Sequence, residues 1–216
     1  KKEDSVASLQ AKEGDVDDLS GHVIIAGYGR VGRMIGELLS EQLIPFVAVD
    51  VSAEDVQKGR DMDAPVYFGD AGSPAVLHAV GAEKASCAVV TLDSPGANYR
   101  TVWALNKYYP NIKVYVRARD IDDGLALEKA GAKAVVPETL EPSLQLGAAV
   151  LNEMEMSNED ISIAVDNFRR NHMGDLQMLA NRSGSALGYG LPSDLEALKS
   201  YDAGDEDDIG KDLNIA

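Results

Sequence analysis

From Gly21 onward the chain alternates between short, almost wholly apolar runs and longer stretches whose apolar residues recur every three or four positions. The runs cover residues 22–26, 46–50, 66–68, 87–92, 113–117 and 134–136, and they start about twenty to twenty-five residues apart. Val, Ile, Tyr and Phe dominate them with little polar alternation, which predicts strands of a parallel sheet buried on both faces. The stretches between read as helices: over 31–43, Val31, Ile35, Leu38 and Leu39 form one stripe, and over 98–108, Val102, Leu105 and Tyr109 do the same beside Trp103. Strand and helix alternating in this way require right-handed crossovers, and so predict an α/β fold with a doubly wound, mainly parallel, Rossmann-like six-stranded sheet. Ligands of such sheets bind beyond the carboxyl ends of the strands.

The alternation stops at Pro137-Glu138-Thr139-Leu140-Glu141-Pro142. A last helix is expected over about 140–155, where Leu140, Leu144, Ala148, Leu151 and Met154 share helical spacing and Leu146 and Val150 widen the apolar surface. A helix this apolar at the end of a completed sheet packs on its own domain or docks on a second copy. Beyond Ser157 the signal fades: 161–168 supports an amphipathic turn or two, Ser183-Gly184-Ser185 and Gly188-Tyr189-Gly190 read as linker, and 202–212 is an acidic run expected to be a solvated tail. Residues 1–20 are polar without an apolar period and read as a disordered lead-in. The expected division is therefore 1–20 lead-in, 21–156 ligand-binding domain and 157–216 weakly structured acidic tail.

Charge narrows the partners. With 36 acidic and 20 basic residues and a formal net charge of −16, the chain is a poor match for a phosphate backbone, so nucleic acid is excluded as a partner. Cys87 is the single cysteine, which rules out an intrachain disulfide and fits a small buried thiol in an apolar strand. No window approaches the roughly 18–20 apolar residues of a spanning helix, and Lys1-Lys2-Glu3-Asp4 does not resemble a signal peptide. The chain opens without Met and is expected to be part of something longer whose membrane segments lie elsewhere.

The candidate chemistry sits after the strands. Gly27-Tyr28-Gly29-Arg30-Val31-Gly32 follows the first run and opens the first helix. In that setting the first glycine permits the tight turn, the second lets a phosphate approach the backbone, and the third lets helix and strand pack closely. The helix N-terminus adds free N–H groups and a positive dipole end for an anion. Asp50 closes the second run, eighteen residues past Gly32 and next to Val51. Its carboxylate suits both ribose hydroxyls and repels a 2′-phosphate, which favours NAD or an adenosine phosphate over NADP; the alternative is an ordinary strand-end Asp that starts a turn. Gly69-Asp70-Ala71 after the third run would reach the adenine end, with helix capping by Asp70 or Ser73 as the competing role. Arg30 either pairs with a phosphate or faces solvent. Thr91, Asp93, Asn98, Arg117, Arg119 and Glu138 are further candidates on position alone, each equally suited to surface or capping duty. No catalytic constellation accompanies them. His22, His78 and His172 neighbour no nucleophile or metal-spaced set, so binding without chemistry is expected, and no metal is required.

With these residues in place, 22 to about 151 resembles the RCK domain, also called KTN, of potassium channels and transporters. The resemblance rests on the glycine loop, Val49-Asp50, Tyr67-Phe68-Gly69-Asp70-Ala71, Val116-Arg117-Ala118-Arg119-Asp120, Leu127-Glu128-Lys129-Ala130-Gly131-Ala132 and Val136-Pro137-Glu138. Within that family, Gly96-Ala97-Asn98-Tyr99-Arg100-Thr101-Val102-Trp103-Ala104-Leu105 and the stretch from Pro137 to Leu146 are similar to plant K+ efflux antiporters of the chloroplast envelope, relatives of bacterial glutathione-gated efflux systems. The resemblance implies an adenine nucleotide in the cleft (AMP, ADP, ATP or NAD(H), with AMP or NAD favoured) and a homodimer through the helix after Glu138. It also implies control of a K+/H+ exchange domain in the chloroplast inner envelope membrane, with this domain on the stromal side. By the same resemblance Gly27, Gly29 and Gly32 seat phosphate, Arg30 pairs with it, Asp50 holds ribose, Asp70 lies near adenine or ribose, and Arg117 faces the ligand or the dimer partner. An NAD-dependent oxidoreductase-like domain and a scaffold with a vestigial site are the competing readings.

Overall fold

The computed structural model describes residues 9–10, 16, 18–183 and 186–187, with side chains through His172 apart from Ile121. The linker at 188–190, the acidic run at 202–212 and most of 1–20 lie outside the described residues.

Six strands, β1 Val23–Ala26, β2 Phe46–Asp50, β3 Val66–Phe68, β4 Cys87–Val90, β5 Lys113–Ala118 and β6 Ala134–Pro137, form a wholly parallel sheet in the order β3-β2-β1-β4-β5-β6. A two-residue strand, β7 Ala186–Leu187, lies parallel beside β6. Every residue of β1 and β2 is buried, which explains the unbroken apolar runs: helices cover both faces, and no face remains to alternate toward water. On one face Ile25, Phe46, Ala48 and Val66 meet α1 Arg30–Glu41 and α2 Ala53–Asp61 through Ile35, Leu39 and Val56. On the other, Ile24, Val47, Val49, Val90 and Val116 meet α3 Pro74–Ala79, α4 Pro95–Tyr108 and α5 Ile121–Lys129. Leu77, Leu105 and Leu127, one from each of those helices, are wholly buried. Each such side chain contributes about 1.5–3 kcal/mol of transfer free energy, so the three anchor their helices to the sheet.

Three helices carry side-chain start signals: α2, α5 and a helix that begins at Asn158, where the Ser157 hydroxyl accepts the Asp160 N–H at 3.2 Å. The Ser52 hydroxyl accepts the Asp55 N–H at 3.2 Å to open α2, and the Asp120 carboxylate accepts the Asp123 N–H at 2.9 Å to open α5. At the start of β4, burial pushes the Cys87 thiol above its ordinary value, in keeping with an inert packed thiol.

Three features differ from the sequence reading. Leu9 and Val16, inside the stretch expected to be disordered, are buried against the domain, and Arg60 donates to the Leu9 carbonyl at 2.9 Å; single apolar residues set in polar sequence leave no period to read. Leu38, expected on the buried stripe of α1, is 59% exposed because the stripe centres on Gly32, Gly36 and Leu39. Third, α6 Leu140–Glu153 is followed by α7 Asn158–Ser183, a helix of 26 residues where only a turn or two was expected. Its apolar signal is faint because an ion pair does part of the docking: Arg169, two turns beyond buried Ile161, grips both carboxylate oxygens of Glu141 in α6 at 2.7 and 3.0 Å.

Candidate nucleotide-binding cleft

β1 is flanked by β2 on one side and β4 on the other, so the chain leaves β1 and β4 toward opposite faces and opens a crevice beyond their carboxyl ends. The glycine loop fills the β1 side. Gly27 has φ +100°, a conformation that disfavours a side chain, and its N–H donates to Val49 at 2.8 Å. Gly32 packs so closely that an added Cβ would stand 1.9 Å from the Gly27 carbonyl oxygen. Gly29 differs from both. Its φ of −71° is open to any residue, and a Cβ there would meet nothing within 4 Å. Nothing inside the fold requires glycine at 29; what its bare backbone provides is close approach from outside, at the N-cap of a helix whose first turn has neither a side-chain cap nor an acidic residue.

Asp50 faces this loop and is only 8% exposed. One carboxylate oxygen accepts the Tyr28 N–H at 2.6 Å and the other the Ser52 N–H at 2.7 Å. Each oxygen retains a second acceptor position, which is what a pair of vicinal sugar hydroxyls needs. The Tyr28 ring is buried, stacks on Phe46 at 6.5 Å and lies against Gly36 and Gly59, so the backbone that Asp50 holds is itself anchored. Burial raises the Tyr28 phenol above its ordinary value, with Glu37 adding to the effect and Arg33 opposing it. Val51 is exposed beside Asp50, and Arg30 is exposed with no ion pair or hydrogen bond among the described residues.

The third strand continues the same rim. The Gly69 N–H donates to the Asp50 carbonyl at 2.9 Å, and exposed Asp70 accepts the Gly72 N–H at 2.8 Å. Neither Asp70 nor Ser73 caps α3 through its side chain, while the Ala71 methyl is buried in the core.

The candidates after β4, β5 and β6 come together with one another. The Thr91 hydroxyl donates to the Gly27 carbonyl at 2.8 Å and ties the glycine loop to β4. Buried Asn98 donates to the carbonyls of Leu92 at 3.0 Å and Arg117 at 3.3 Å, which staples the ends of β4 and β5. Arg117 extends one guanidinium nitrogen to the Leu92 carbonyl and Asp93, at 3.0 and 2.7 Å, and the other to Glu138 at 2.7 Å. Thr91, Asn98 and Arg117 thus support the crevice, and Arg119 pairs with Asp120 at its edge. Sequence reasoning passed over Arg100 of α4. It stands beside the Asp70 loop, 3.6 Å from where a Cβ at Gly72 would sit, and the available signal was its helical position two residues past the buried Asn98.

Comparison with known proteins places this geometry in a lineage. K(+) efflux antiporter 2, chloroplastic, of Arabidopsis thaliana is 59% identical over 186 residues, which is 86% of this chain and 16% of that protein. The glutathione-regulated potassium-efflux system protein KefC of Klebsiella pneumoniae is 33% identical over 165 residues, 76% of this chain and 27% of KefC. This chain therefore spans a minor part of the length of both relatives, which are transport proteins rather than enzymes. Among solved structures, the Kef CTD of Shewanella denitrificans in its AMP-bound form matches with a TM-score of 0.66 at 31% identity, over 74% of this chain and 98% of that one. The family described as the TrkA-N domain matches residues 23–138, from the first residue of β1 to Glu138, and by that match over more than half its length the chain belongs to the TrkA-N domain family.

Proposed function

We propose that this chain is the nucleotide-sensing regulatory domain of a chloroplast K+ efflux antiporter, and that an adenine nucleotide seated over Gly27, Gly29, Arg30, Val31 and Gly32 adjusts K+/H+ exchange by a membrane domain elsewhere in the same protein. The observation that carries this reading is the pairing of open backbone at Gly29 with the Asp50 carboxylate held against the same loop. Phosphate belongs over the uncapped start of α1, ribose at Asp50 beside Val51, and base toward Gly69 and Asp70. AMP and NAD(H) lead ADP and ATP: one phosphate, or a pyrophosphate bridge, fits the one free arginine of the loop, and a neighbour at 31% identity is an AMP-bound form. The similarity to chloroplastic antiporters supports a chloroplast location; the inner envelope, with this domain on the stromal side, is the placement proposed, and no described helix is long and apolar enough to cross a membrane.

Regulation requires that the ligand bind two arrangements of the protein with different affinity. The two arrangements are supplied by a homodimer through α6, where Leu146, Val150 and Met154 lie exposed at i, i+4 and i+8. Calorimetric titration of the chain with AMP, ADP, ATP, NAD and NADH tests the reading. Saturable binding of at least one, weakened in Asp50→Ala, is expected; silence from all five at millimolar concentration ends it.

A further inference from the structure

We propose that Arg100 is the base-side wall of the cleft, and that its guanidinium plane lies against the purine face of the bound nucleotide. The inference rests on the nucleotide reading above and adds to it a contact from α4, the helix on the far side of the crevice.

Four observations converge on this residue. First, Arg100 and Asp70 flank the same glycine: a Cβ at Gly72 would lie 3.2 Å from the Asp70 carboxylate and 3.6 Å from the Arg100 Cβ. The walls formed by the β3–α3 loop and by α4 therefore adjoin at Gly72. Second, although opposite charges stand on these walls, Asp70 and Arg100 make no ion pair, and Asp70 turns inward to its own loop through the Gly72 N–H. Third, the arginines at and just after the end of β5 are committed, Arg117 to Asp93 and Glu138 and Arg119 to Asp120, whereas Arg30 of the glycine loop and Arg100 of α4 have no partner among the described residues. Arg30 lies at the phosphate end; Arg100 lies at the other.

Fourth, the spacing suits one nucleotide. β1, β2 and β3 are successive neighbours in the sheet, so their loops step outward by about 4.8 Å per strand. A ligand with phosphate over Gly29 after β1 and ribose at Asp50 at the end of β2 carries its base to the loop after β3, where Gly72 and Arg100 meet. A guanidinium suits that position because it is planar, weakly hydrated and stacks on aromatic faces while keeping its edge in water.

Titration of AMP into the 216-residue chain, its Arg100→Ala variant and its Arg100→Tyr variant tests the assignment. Arg100 is exposed and unpartnered, so both variants should keep the unligated thermal midpoint of the parent. Arg100→Ala is expected to weaken AMP about tenfold, and Arg100→Tyr, which keeps a flat face without the charge, to restore affinity to within about threefold of the parent. An Arg100→Ala variant within about twofold of the parent overturns the inference and leaves the nucleotide reading standing. A loss in Arg100→Ala that Tyr does not repair also overturns it, since the contact is then one of charge with phosphate. If the parent chain itself binds no AMP or other adenine nucleotide, the nucleotide reading falls and this assignment falls with it.

Discussion

The Asp50 carboxylate accepts the backbone N–H of Tyr28 at 2.6 Å, so the strand end expected to hold a sugar already holds the loop expected to hold a phosphate. Ligand affinity and loop order are thereby linked through one side chain. Hydrogen bonds to a charged acceptor contribute about 1.5–3 kcal/mol when buried. Asp50→Ala should lower stability to urea by about 2 kcal/mol as well as reduce AMP affinity at least about tenfold. Asp50→Asn, which keeps an acceptor oxygen for one of the two N–H groups, should recover more of the stability than of the binding. Equal recovery of both would mean that Asp50 acts on the ligand only through the loop.

Gly29 and Gly32 separate binding from folding more sharply. A methyl at 29 enters open space on backbone that any residue can adopt, and N-cap glycine to alanine costs at most about 1 kcal/mol. Gly29→Ala should therefore nearly keep its melting temperature and lose nucleotide affinity. At 32 the methyl would meet the Gly27 carbonyl oxygen at 1.9 Å, so strand and helix must part, and Gly32→Ala should cost about 3 kcal/mol or more. Thermal denaturation beside calorimetry decides this. A stable Gly32→Ala, or a Gly29→Ala that binds normally, would contradict the reading.

Much of this was legible in the chain because a parallel sheet covered on both sides writes itself as unbroken apolar runs, and because the glycine loop and Asp50 have fixed offsets from the strands that carry them. The pairing of Arg117 with Asp93 and Glu138 was not legible. Residues at the carboxyl ends of neighbouring strands have the same sequence signature whether they face a ligand or one another, and only side-chain direction tells them apart. α7 was hidden for a different reason. Ile161 and Val165 are its described apolar residues turned from solvent, and Arg169, polar in any hydropathy reading, completes the stripe.

Arg117 joins the ends of β4, β5 and β6, yet its partners are unequal: Asp93 is largely exposed and Glu138 half-buried. Solvent screening discounts the first pair heavily, and the carbonyl of Leu92 and the carboxylate of Glu138 carry most of the effect. Arg117→Ala should cost about 1–2 kcal/mol in urea denaturation, with Asp93→Ala near neutral. AMP affinity should fall less than in Asp50→Ala. A larger loss of binding than of stability would return Arg117 to the ligand.

Asp120 supplies a pH test. Its carboxyl is held below the usual Asp range, chiefly by the N–H of Asp123 and next by Arg119. A carboxylate more acidic in the folded than in the unfolded chain adds stability that is complete above the unfolded value and drains away as pH falls through the folded one. Asp120→Ala should thus melt below the parent at neutral pH, and the gap should narrow below about pH 4 as the parent's own carboxyl becomes protonated. A gap that does not change across that window would mean that backbone preference, not the charge, starts α5.

The homodimer reading turns on α6, where Leu146, Val150 and the C-cap residue Met154 are exposed at helical spacing while Leu144 is buried toward its own domain. Exposed apolar side chains are common one at a time, but three at i, i+4 and i+8 form a continuous strip of the kind that a second helix covers. Val150→Glu places a charge at the centre of that strip. If α6 meets α6 of a second copy, the two carboxylates are brought together and lose water, and the dimer should weaken by at least about a hundredfold while each subunit keeps its fold. Sedimentation equilibrium should then show the parent as a dimer at micromolar concentration and the variant as a monomer with unchanged far-ultraviolet circular dichroism. AMP binding to the monomer should persist, because no residue of the cleft lies on α6, whereas any difference in AMP affinity between monomer and dimer measures the coupling available for regulation. A parent chain that sediments as a monomer, or a Val150→Glu chain that remains a dimer, removes α6 as the crossing point.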